Sequence, residues 1–546
     1  MDHIITVSSF FFFTALVAFL TWLMTRKEDM RSAEGFFLAG RSLTFPFIAG
    51  SLLLTNLSTE QMVGLNGDAF SVGLSVMAWE IIPVLALVTM ALYFLPKFLK
   101  SGITTIPELL EIRFDSTSRL LVNIYFLVAY TTILLPIVLY TGAQGLMGIL
   151  DLKALTGIQS ETALLWLTVW GVGLLGSCYA LFGGLRSVAV SDTLTGVGFL
   201  VGCFLITFFG LSLIGGEDGI LSSFAKLRAT VPEHLNSIGG AESKVPFGTI
   251  FTGVIVMNMF YWCTNQQIIQ RTLAANSLAE GQKGVLLCGA LKLLGPLFLV
   301  LPGIMAYYLF VATAPEGTPQ PRSVEAYGML VRTVLPTYLT GFFAAVMVGA
   351  ILSSFNSILN STCTLFSLGI YRKCLRPDAN DVKLVRVSRN FGWLIAIIAM
   401  CIAPQLAQID SIFTFLKTMN GLYTIPVFAV VLMGLLVRRI PAGAARFALI
   451  FGPSVIAFMY FIAPGTRFDL VKIMGGFHFL GIVFATLIVS MFVWSLISPR
   501  REGTWVQKDA QAVDLTPWRY AVPAGVALVL VVVTIYAVFA DFSVLK

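Results

Sequence analysis

Long apolar segments alternate with short polar ones along almost the whole chain. An apolar α-helix of about 20 residues crosses a hydrocarbon core of ~30 Å, and the sequence predicts roughly fourteen such helices. They lie near residues 4–24, 44–70, 74–98, 119–148, 162–182, 188–214, 247–270, 284–312, 335–367, 384–405, 409–437, 442–462, 471–497 and 520–543. The pattern therefore predicts an all-α polytopic membrane protein.

The composition agrees with this pattern. Hydrophobic residues make up 57% of the chain and charged residues 12%, whereas about 25% of an average soluble domain is charged. One globular interior cannot bury so much apolar surface, so the bilayer is the expected solvent. Residues 1–546 are predicted to form a single transmembrane domain without a separate soluble domain.

The basic residues determine the predicted topology. They stand in short clusters between apolar segments, which argues against a nucleic-acid partner despite the net charge of +7. Because Lys and Arg mark cytoplasmic loops, Arg26, Lys27 and Arg31 after the first helix predict an outside N-terminus. The loops after the third, ninth, eleventh and thirteenth helices are basic as well, and an even helix count returns the C-terminus to the outside. The expected location is a bacterial-type inner (plasma) membrane.

Two predicted helices carry islands of polar residues where lipid would surround them. Residues 55–61 of the second helix and 258–267 of the seventh are rich in Asn, Gln, Ser and Thr. Backbone that leaves helical geometry in a membrane must be sheltered by protein or water, so both islands predict a locally unwound segment. Two interrupted helices at corresponding places in two halves indicate a transporter binding site. The alternative interpretation is a packing face that bonds to neighbouring helices.

Charged side chains inside the predicted helices mark candidate functional positions. A charge at the bilayer centre costs ~2.5–3.5 kcal/mol even on the translocon scale. Four such residues stand out: Glu80, Asp192, Lys292 and Lys417. Ser353, Ser357 and Ser361 share one face of the ninth helix because they are four residues apart. A membrane Ser is more often a packing residue, and a Lys near a helix end can extend to the interface.

These residues occur in motifs that resemble the sodium/solute symporter family. The motifs are Asn-Leu-Ser-Thr-Glu-Gln at 56–61, Gly-Gly-Leu-Arg-Ser at 183–187 followed by Asp192, Tyr-Trp-Cys-Thr-Asn-Gln at 261–266 leading to Gln-Arg-Thr-Leu-Ala at 270–274, and Ser353-Ser354 followed by Leu-Asn-Ser at 359–361. The resemblance runs from about Phe36 to the last helix. It is strongest to the sodium/glucose and bacterial sodium/galactose transporters, and 262–271 is its most specific element.

The resemblance implies a LeuT-like fold. Its core of two five-helix inverted repeats would span approximately residues 44–437, with peripheral helices at 4–24 and 442–543. The implied activity is Na⁺-coupled secondary active symport that imports a sugar or sugar derivative by alternating access, with Na⁺ as the coupling ion and no enzymatic reaction.

The resemblance also implies a substrate site and its gates. The substrate-contacting residues would be Asn56, Gln61, Glu80, Asn258, Tyr261, Lys292 and Lys417. The gates would be Leu65, Trp79 and Phe413 on the outer side, and Tyr261 with Trp262 on the inner side. Two residues depart from the family pattern, because Pro83 replaces a serine and Lys417 a glutamine. Lys417 could pair with Glu80 and leave a neutral substrate, or it could receive an anionic group such as a carboxylate or sulfate.

The coupling ion would bind where the second and ninth helices meet. The implied ligands are the carbonyl oxygens of Leu54, Leu57 and Ala350 and the hydroxyls of Ser353 and Ser354. Hard cations prefer oxygen ligands, and unwound backbone supplies them. Some members of the family have a second sodium site, which here would use Asp192 and Ser357, with Asn356 at a position where the family has a hydroxyl residue.

Other functions remain open at this point. The same fold could carry a sugar acid, an amino acid, a vitamin or an organic acid, and it could act as a channel or nutrient sensor. A membrane-embedded enzyme is the distant alternative, but no GxSxG, HExxH or clustered acidic motif occurs in the loops. The identity of the sugar, the number of ions per cycle and the oligomeric state do not follow from the sequence.

Overall fold

The described part of the protein consists of helices. The computed structural model describes residues 2–26, 32–57, 60–150, 152–241, 243–409, 412–466, 469–500 and 503–545. Within these ranges there is no β-strand, and Leu43–Ala275 and Ser277–Asp514 form isolated bridges. The predicted all-α class is confirmed.

The described residues form 24 α-helices. In chain order they are α1 Asp2–Thr25, α2 Ala33–Leu38, α3 Phe45–Asn56, α4 Asn66–Val72, α5 Ala78–Thr89, α6 Leu95–Ser101, α7 Ile106–Arg113, α8 Ser116–Ala129, α9 Leu135–Leu150, α10 Leu152–Thr156, α11 Glu161–Gly215, α12 Ile220–Thr230, α13 Gly253–Cys263, α14 Gln266–Leu273, α15 Leu278–Lys292, α16 Leu301–Tyr307, α17 Ser323–Val334, α18 Thr337–Thr364, α19 Asp381–Ile402, α20 Ile412–Leu436, α21 Ala442–Ala457, α22 Leu470–Met474, α23 Gly476–Ile497 and α24 Ala521–Val538. Wider π-helical turns extend several of them: Glu60–Leu65, Met90–Phe94, Tyr130–Leu134, Pro296–Val300, Tyr308–Ala312, Leu365–Leu375 and Phe458–Ile462.

Fewer helices meet a strict length criterion than the sequence predicts. The described residues contain ten helices that are long and apolar enough to cross a membrane, or eleven if α15 and the 43° bent segment after it count as one. The criterion excludes α3 and α13, which have only 12 and 11 residues. It also counts α11 as one helix. The 55 residues of α11 would extend about 80 Å, which is more than twice the ~30 Å thickness of a hydrocarbon core. Gly184 (φ 61, ψ −172) interrupts α11 at the predicted turn, and the total of roughly fourteen stays a prediction.

Both predicted helix interruptions are present. Helix α3 ends at Asn56, and Leu57 leaves helical geometry (φ −79, ψ 73) before the π-helical turn that begins at Glu60. Helix α13 ends at Cys263, and Thr264 (φ −138, ψ −7) and Asn265 (φ −71, ψ 119) separate it from α14. The interpretation of the two polar islands as unwound segments is therefore confirmed for the described residues.

The basic loops lie together on one face of the molecule. Lys373 forms a 2.8 Å ion pair with Glu111, which joins the loop after α18 to α7. The segment before α24 reaches the end of α6, where Ala510 N donates to Lys100 O at 2.8 Å. The C-terminal residues lie instead beside the long connection between α12 and α13, since Ser237 N donates to Phe539 O at 2.8 Å. The alternation of sides agrees with the predicted topology, and its orientation in the cell stays a prediction.

One buried guanidinium joins α7 to the end of α20. Arg113 is 1% exposed and donates to the carbonyls of Gly434 (2.6 Å), Val437 (2.9 Å) and Ile440 (3.3 Å). The last carbonyls of a helix have no donor within the helix, so Arg113 satisfies groups that would otherwise be buried without partners. Burial lowers the pKa of this guanidinium to about 10, which still leaves it charged at neutral pH.

Replacing this residue tests its structural role. We expect Arg113→Met to lower the free energy of unfolding by about 3 kcal/mol, because hydrogen bonds from a charged donor contribute ~1.5–3 kcal/mol and the carbonyls lose their partner. The measurement is the thermal melting temperature of the purified protein in detergent. The matched control is Arg322→Met, an exposed arginine paired with Glu325, for which we expect a much smaller loss because solvent screens an exposed ion pair. Equal losses in the two variants would contradict this role.

Candidate functional site

The two helix interruptions face a common cavity of about 180 Å³. The cavity lies among α3, α4, α5, α9, α13, α14, α18 and α20. Its lining residues are Thr55, Asn56, Gln61, Leu65, Asp68, Trp79, Pro83, Leu134, Val138, Met257, Asn258, Phe260, Tyr261, Trp262, Asn265, Gln267, Ser354, Ile358, Leu416, Asn420, Tyr423 and Thr424. Amide, hydroxyl and aromatic groups therefore converge on one space although they come from distant parts of the chain.

The structure brings together most of the side chains that the resemblance assigns to the substrate and the gates. Among them are Asn56, Gln61, Asn258 and Tyr261, and also the gate residues Leu65, Trp79 and Trp262. Asn258 donates from Nδ2 to Val254 O at 2.9 Å, which fixes the orientation of its amide. The Tyr261 and Trp262 rings meet edge to face, with centroids 5.3 Å apart.

Glu80 and Lys292 lie behind this lining as a buried ion pair. The Lys292 Nζ to Glu80 Oε2 distance is 2.7 Å, and the two side chains are 0% and 1% exposed. Lys292 also donates to Asn56 Oδ1 at 2.5 Å, and its Nζ lies 5.3 Å from the centroid of the Trp262 ring. The pair contacts the cavity through Asn56, and direct contact of Glu80 or Lys292 with a substrate stays a prediction.

Two expected residues lie on α20, but their side chains fall outside the described residues. These are Lys417 and Phe413. Helix α20 contributes four other residues to the lining: Leu416, Asn420, Tyr423 and Thr424. The assignments of Lys417 to the substrate site and Phe413 to the outer gate stay predictions.

The structure adds lining residues that the sequence argument did not select. Asn420 and Thr424 are four residues apart on α20, and Tyr423 donates to Asn420 Oδ1 at 3.1 Å. This polar pattern on an otherwise apolar helix could have identified them. Gln267 belongs to the second polar island, is 6% exposed, and its Oε1 accepts no hydrogen bond from the described residues.

The hydroxyl groups of α18 lie against the interrupted end of α3. Ser354 donates to Thr55 O at 3.2 Å. In the sequence Thr55 stands between Leu54 and Leu57, whose carbonyl oxygens are expected to bind sodium. Leu54, Leu57 and Ala350 are each at most 1% exposed. The candidate ligands are all neutral oxygen atoms, the donor type that a hard cation prefers. This set of residues fits a sodium ion, whose binding there stays a prediction.

Asp192 is the centre of a second polar cluster beside this place. Ser51 donates to Asp192 Oδ2 at 2.6 Å, and the Arg271 guanidinium lies 3.9 Å from the same oxygen. Arg271 further donates from Nε to Ser51 Oγ at 3.0 Å and from Nη2 to Ser357 Oγ. Both charged side chains are buried. The cluster thus links α3, α11, α14 and α18.

Comparison with known proteins identifies the family of this chain. The sodium:solute symporter family matches residues 36–452. The Uncharacterized symporter YidK of Escherichia coli (strain K12) is 44% identical over 542 residues, which cover 98% of this chain and 91% of the relative. The Sodium/glucose cotransporter of Vibrio parahaemolyticus is 33% identical over 459 residues, with 80% and 81% covered. The Sodium/myo-inositol cotransporter 2 of Rattus norvegicus is 29% identical over 539 residues, with 91% and 77% covered.

A solved structure identifies the architecture. The substrate-bound outward-open state of a Na⁺-coupled sialic acid symporter superposes with a TM-score of 0.75 at 20% sequence identity, covering 91% of this chain and 98% of that one. This similarity confirms the LeuT-like fold. Together with the family match over residues 36–452 and the apolar helices, it leads to one conclusion: the chain belongs to the sodium:solute symporter family and is an integral membrane Na⁺-coupled symporter, not an enzyme.

Proposed function

We propose that this symporter imports a neutral sugar or sugar-like solute. The observation that carries the proposal is the cavity at the two helix interruptions, where Asn56, Gln61 and Asn258 lie beside Tyr261 and Trp262. Amides supply paired donors and acceptors for vicinal hydroxyl groups, and aromatic rings suit the apolar face of a pyranose. Relatives named for glucose and myo-inositol transport support the same substrate class.

The charges around the cavity favour a neutral substrate. Among the described lining side chains there is no Lys, Arg or His, and Asp68 is acidic. The nearby Lys292 is paired with Glu80, so it offers little net charge to an anion. An anionic sugar is the second candidate, because Lys417 lies on α20, the helix that contributes Asn420 and Thr424 to the lining.

Transport would proceed by alternating access driven by sodium. In this mechanism Na⁺ binds from outside at Leu54, Leu57, Ala350, Ser353 and Ser354, the solute completes the cavity, and the aromatic gates exchange. One charge crossing ~100 mV yields ~2.3 kcal/mol, and a tenfold sodium gradient adds ~1.4 kcal/mol. Together they support an accumulation of a neutral solute of roughly a few hundred-fold. The chain would lie in a bacterial inner (plasma) membrane with both termini outside.

Uptake assays test the substrate class directly. We expect purified protein in proteoliposomes with an inward Na⁺ gradient to take up a labelled neutral sugar from a panel of neutral sugars, anionic sugars, proline and sialic acid. Replacing Na⁺ by K⁺ should abolish the uptake. Uptake of only amino acids or only anionic sugars would contradict the proposal.

Asn258→Ala tests the cavity as the substrate site. We expect the KM for the transported sugar to rise by roughly 5- to 100-fold, because a lost hydrogen bond that leaves a buried polar partner costs ~1–3 kcal/mol. The KM for Na⁺ should change far less. The matched control is Gln144→Ala, an exposed amide on α9 outside the cavity, which should leave both values unchanged. A KM for sugar equal to that of the unmodified protein would exclude Asn258 from the site.

Ser354→Ala tests the sodium site. We expect the KM for Na⁺ to rise roughly tenfold or more, because the cation loses one of its oxygen ligands and a lost hydrogen-bonding group costs ~1–3 kcal/mol. The control is Ser361→Ala on the same helix, whose hydroxyl donates to Gln270 Oε1 at 2.8 Å. That change should lower thermal stability without altering the dependence on Na⁺. The same shift in both variants, or uptake that continues with protons alone, would exclude this site.

Lys417→Gln separates the two substrate candidates. If the substrate is neutral, the preference between neutral and anionic sugars should stay the same, with the rank order of initial uptake rates across the panel as the measurement. Because the charge of a lysine contributes little to the binding of a neutral group, we expect the KM for the transported neutral sugar to change by less than about fivefold. A switch from anionic to neutral sugars would instead identify Lys417 as an anion-binding residue.

A further inference from the structure

We propose that Arg271 is a built-in cation that takes the place of a second sodium ion at Asp192. The chain would then bind one Na⁺, at Ser353 and Ser354, for each solute. This inference rests on the sodium site of the proposed function, and it concerns the neighbouring cluster. It differs from the expectation that Asp192 and Ser357 hold a second ion.

Both expected ligands of a second ion are already engaged by the same guanidinium. The Asp192 carboxylate lies 3.9 Å from Arg271 Nη2, and that nitrogen donates to the Ser357 hydroxyl. A sodium ion needs the carboxylate and hydroxyl oxygens to point at one place. In this structure, the guanidinium group lies at that place.

The remaining donors of Arg271 hold it there through α3 and through its own helix, α14. Its Nε donates to Ser51 Oγ at 3.0 Å, and its Nη1 donates to the carbonyl of Gln267. Ser51 in turn donates to Asp192 Oδ2 at 2.6 Å. Arginine presents its donors in a fixed planar fork, so three partners on α3, α14 and α18 leave the guanidinium no free rotation away from Asp192.

Burial makes this arrangement selective against a second ion. The Arg271 and Asp192 side chains are 0% and 2% exposed. A sodium ion on the same carboxylate would lie next to the guanidinium charge without water to screen the repulsion. The carboxylate has one unit of negative charge, and Arg271 already neutralises it.

The third residue of the expected site does not complete it. Asn356 is 2% exposed, and its Oδ1 accepts no hydrogen bond from the described residues. This oxygen lies against Gly176, where an added Cβ would be 3.2 Å from it. Asn356 is not among the hydrogen-bond partners of Asp192 in the described structure. Of the three residues expected to bind an ion, two hold Arg271 and the third stands apart.

A tethered cation has a consequence for coupling. Arg271 lies on α14, directly after the second helix interruption, and it stays with the protein throughout the cycle. A second sodium ion would leave with the solute and add a second charge to each turnover. With Arg271 in its place, one positive charge should cross the membrane for each neutral solute.

Equilibrium binding of ²²Na⁺ to the purified full-length protein in nanodiscs tests the proposal, with Na⁺ alone as the probe. We expect one saturable ion per chain in the unmodified protein. Arg271→Gln keeps hydrogen-bonding groups but removes the charge, so the freed Asp192 carboxylate should admit a second ion. In Arg271→Gln combined with Asp192→Asn, the count should return to one. Ser354→Ala should remove one ion from each of these proteins.

The outcomes distinguish this inference from the proposed function. Two ions in the unmodified protein, or a folded Arg271→Gln variant that still binds one, would overturn the role of Arg271. A Ser354→Ala variant that still binds the single ion of the unmodified protein would overturn the sodium site itself. If Arg271→Gln does not fold, ²²Na⁺ binding to the Ser357→Ala variant takes its place. We expect this variant to bind one ion with the affinity of the unmodified protein. A second sodium site at Asp192 and Ser357 would instead require the number of bound ions to fall from two to one.

Discussion

The need of backbone N–H and C=O groups for partners inside a membrane governs this structure. A helix that stops halfway across leaves such groups without partners, and each costs several kcal/mol in lipid. The chain meets this need locally. Thr264 N and Asn265 N both donate to Phe260 O, at 2.8 and 3.0 Å, and the Asn265 side chain accepts from Gln267 N at 3.3 Å. The other freed groups can face a cavity only because complete helices surround both interruptions.

Paired charges keep the interrupted helices attached to their neighbours. Lys292 on α15 bonds to Asn56 at the end of α3 and to Glu80 on α5. Arg271 on α14 reaches Asp192 on α11 and Ser357 on α18. Removing one partner of a buried pair typically costs about 3–5 kcal/mol, so each pair holds an interrupted helix against its neighbours. The pairing also neutralises charge next to the cavity.

The sequence predicted the features that depend on the polarity of a single helix, such as the two interruptions. It did not predict which side chains on different helices form pairs. The two polar islands predicted both interruptions, because polar groups in apolar helices need a sheltered space, and the family resemblance selected Asn56, Gln61, Asn258 and Tyr261, which line one cavity. The sequence did not predict that Glu80 and Lys292 pair with each other, since single-residue positions do not reveal distances between helices. Helices α7, α12 and α17 were missed because they lie outside the apolar segments on which the prediction was based.

The proposed ion site and the proposed solute site lie next to each other along the chain. Thr55 accepts a hydrogen bond from Ser354 through its carbonyl, and its hydroxyl lies 3.0 Å from Ser357 Oγ. The next residue, Asn56, lines the cavity and accepts from Lys292. A cation that draws the carbonyls at the end of α3 toward α18 must therefore move Asn56 as well, because one peptide bond joins the two residues and keeps six atoms in a plane. Under the proposed function, coupling needs no long-range pathway, since the proposed ligands of the ion and of the solute belong to the same interrupted turn.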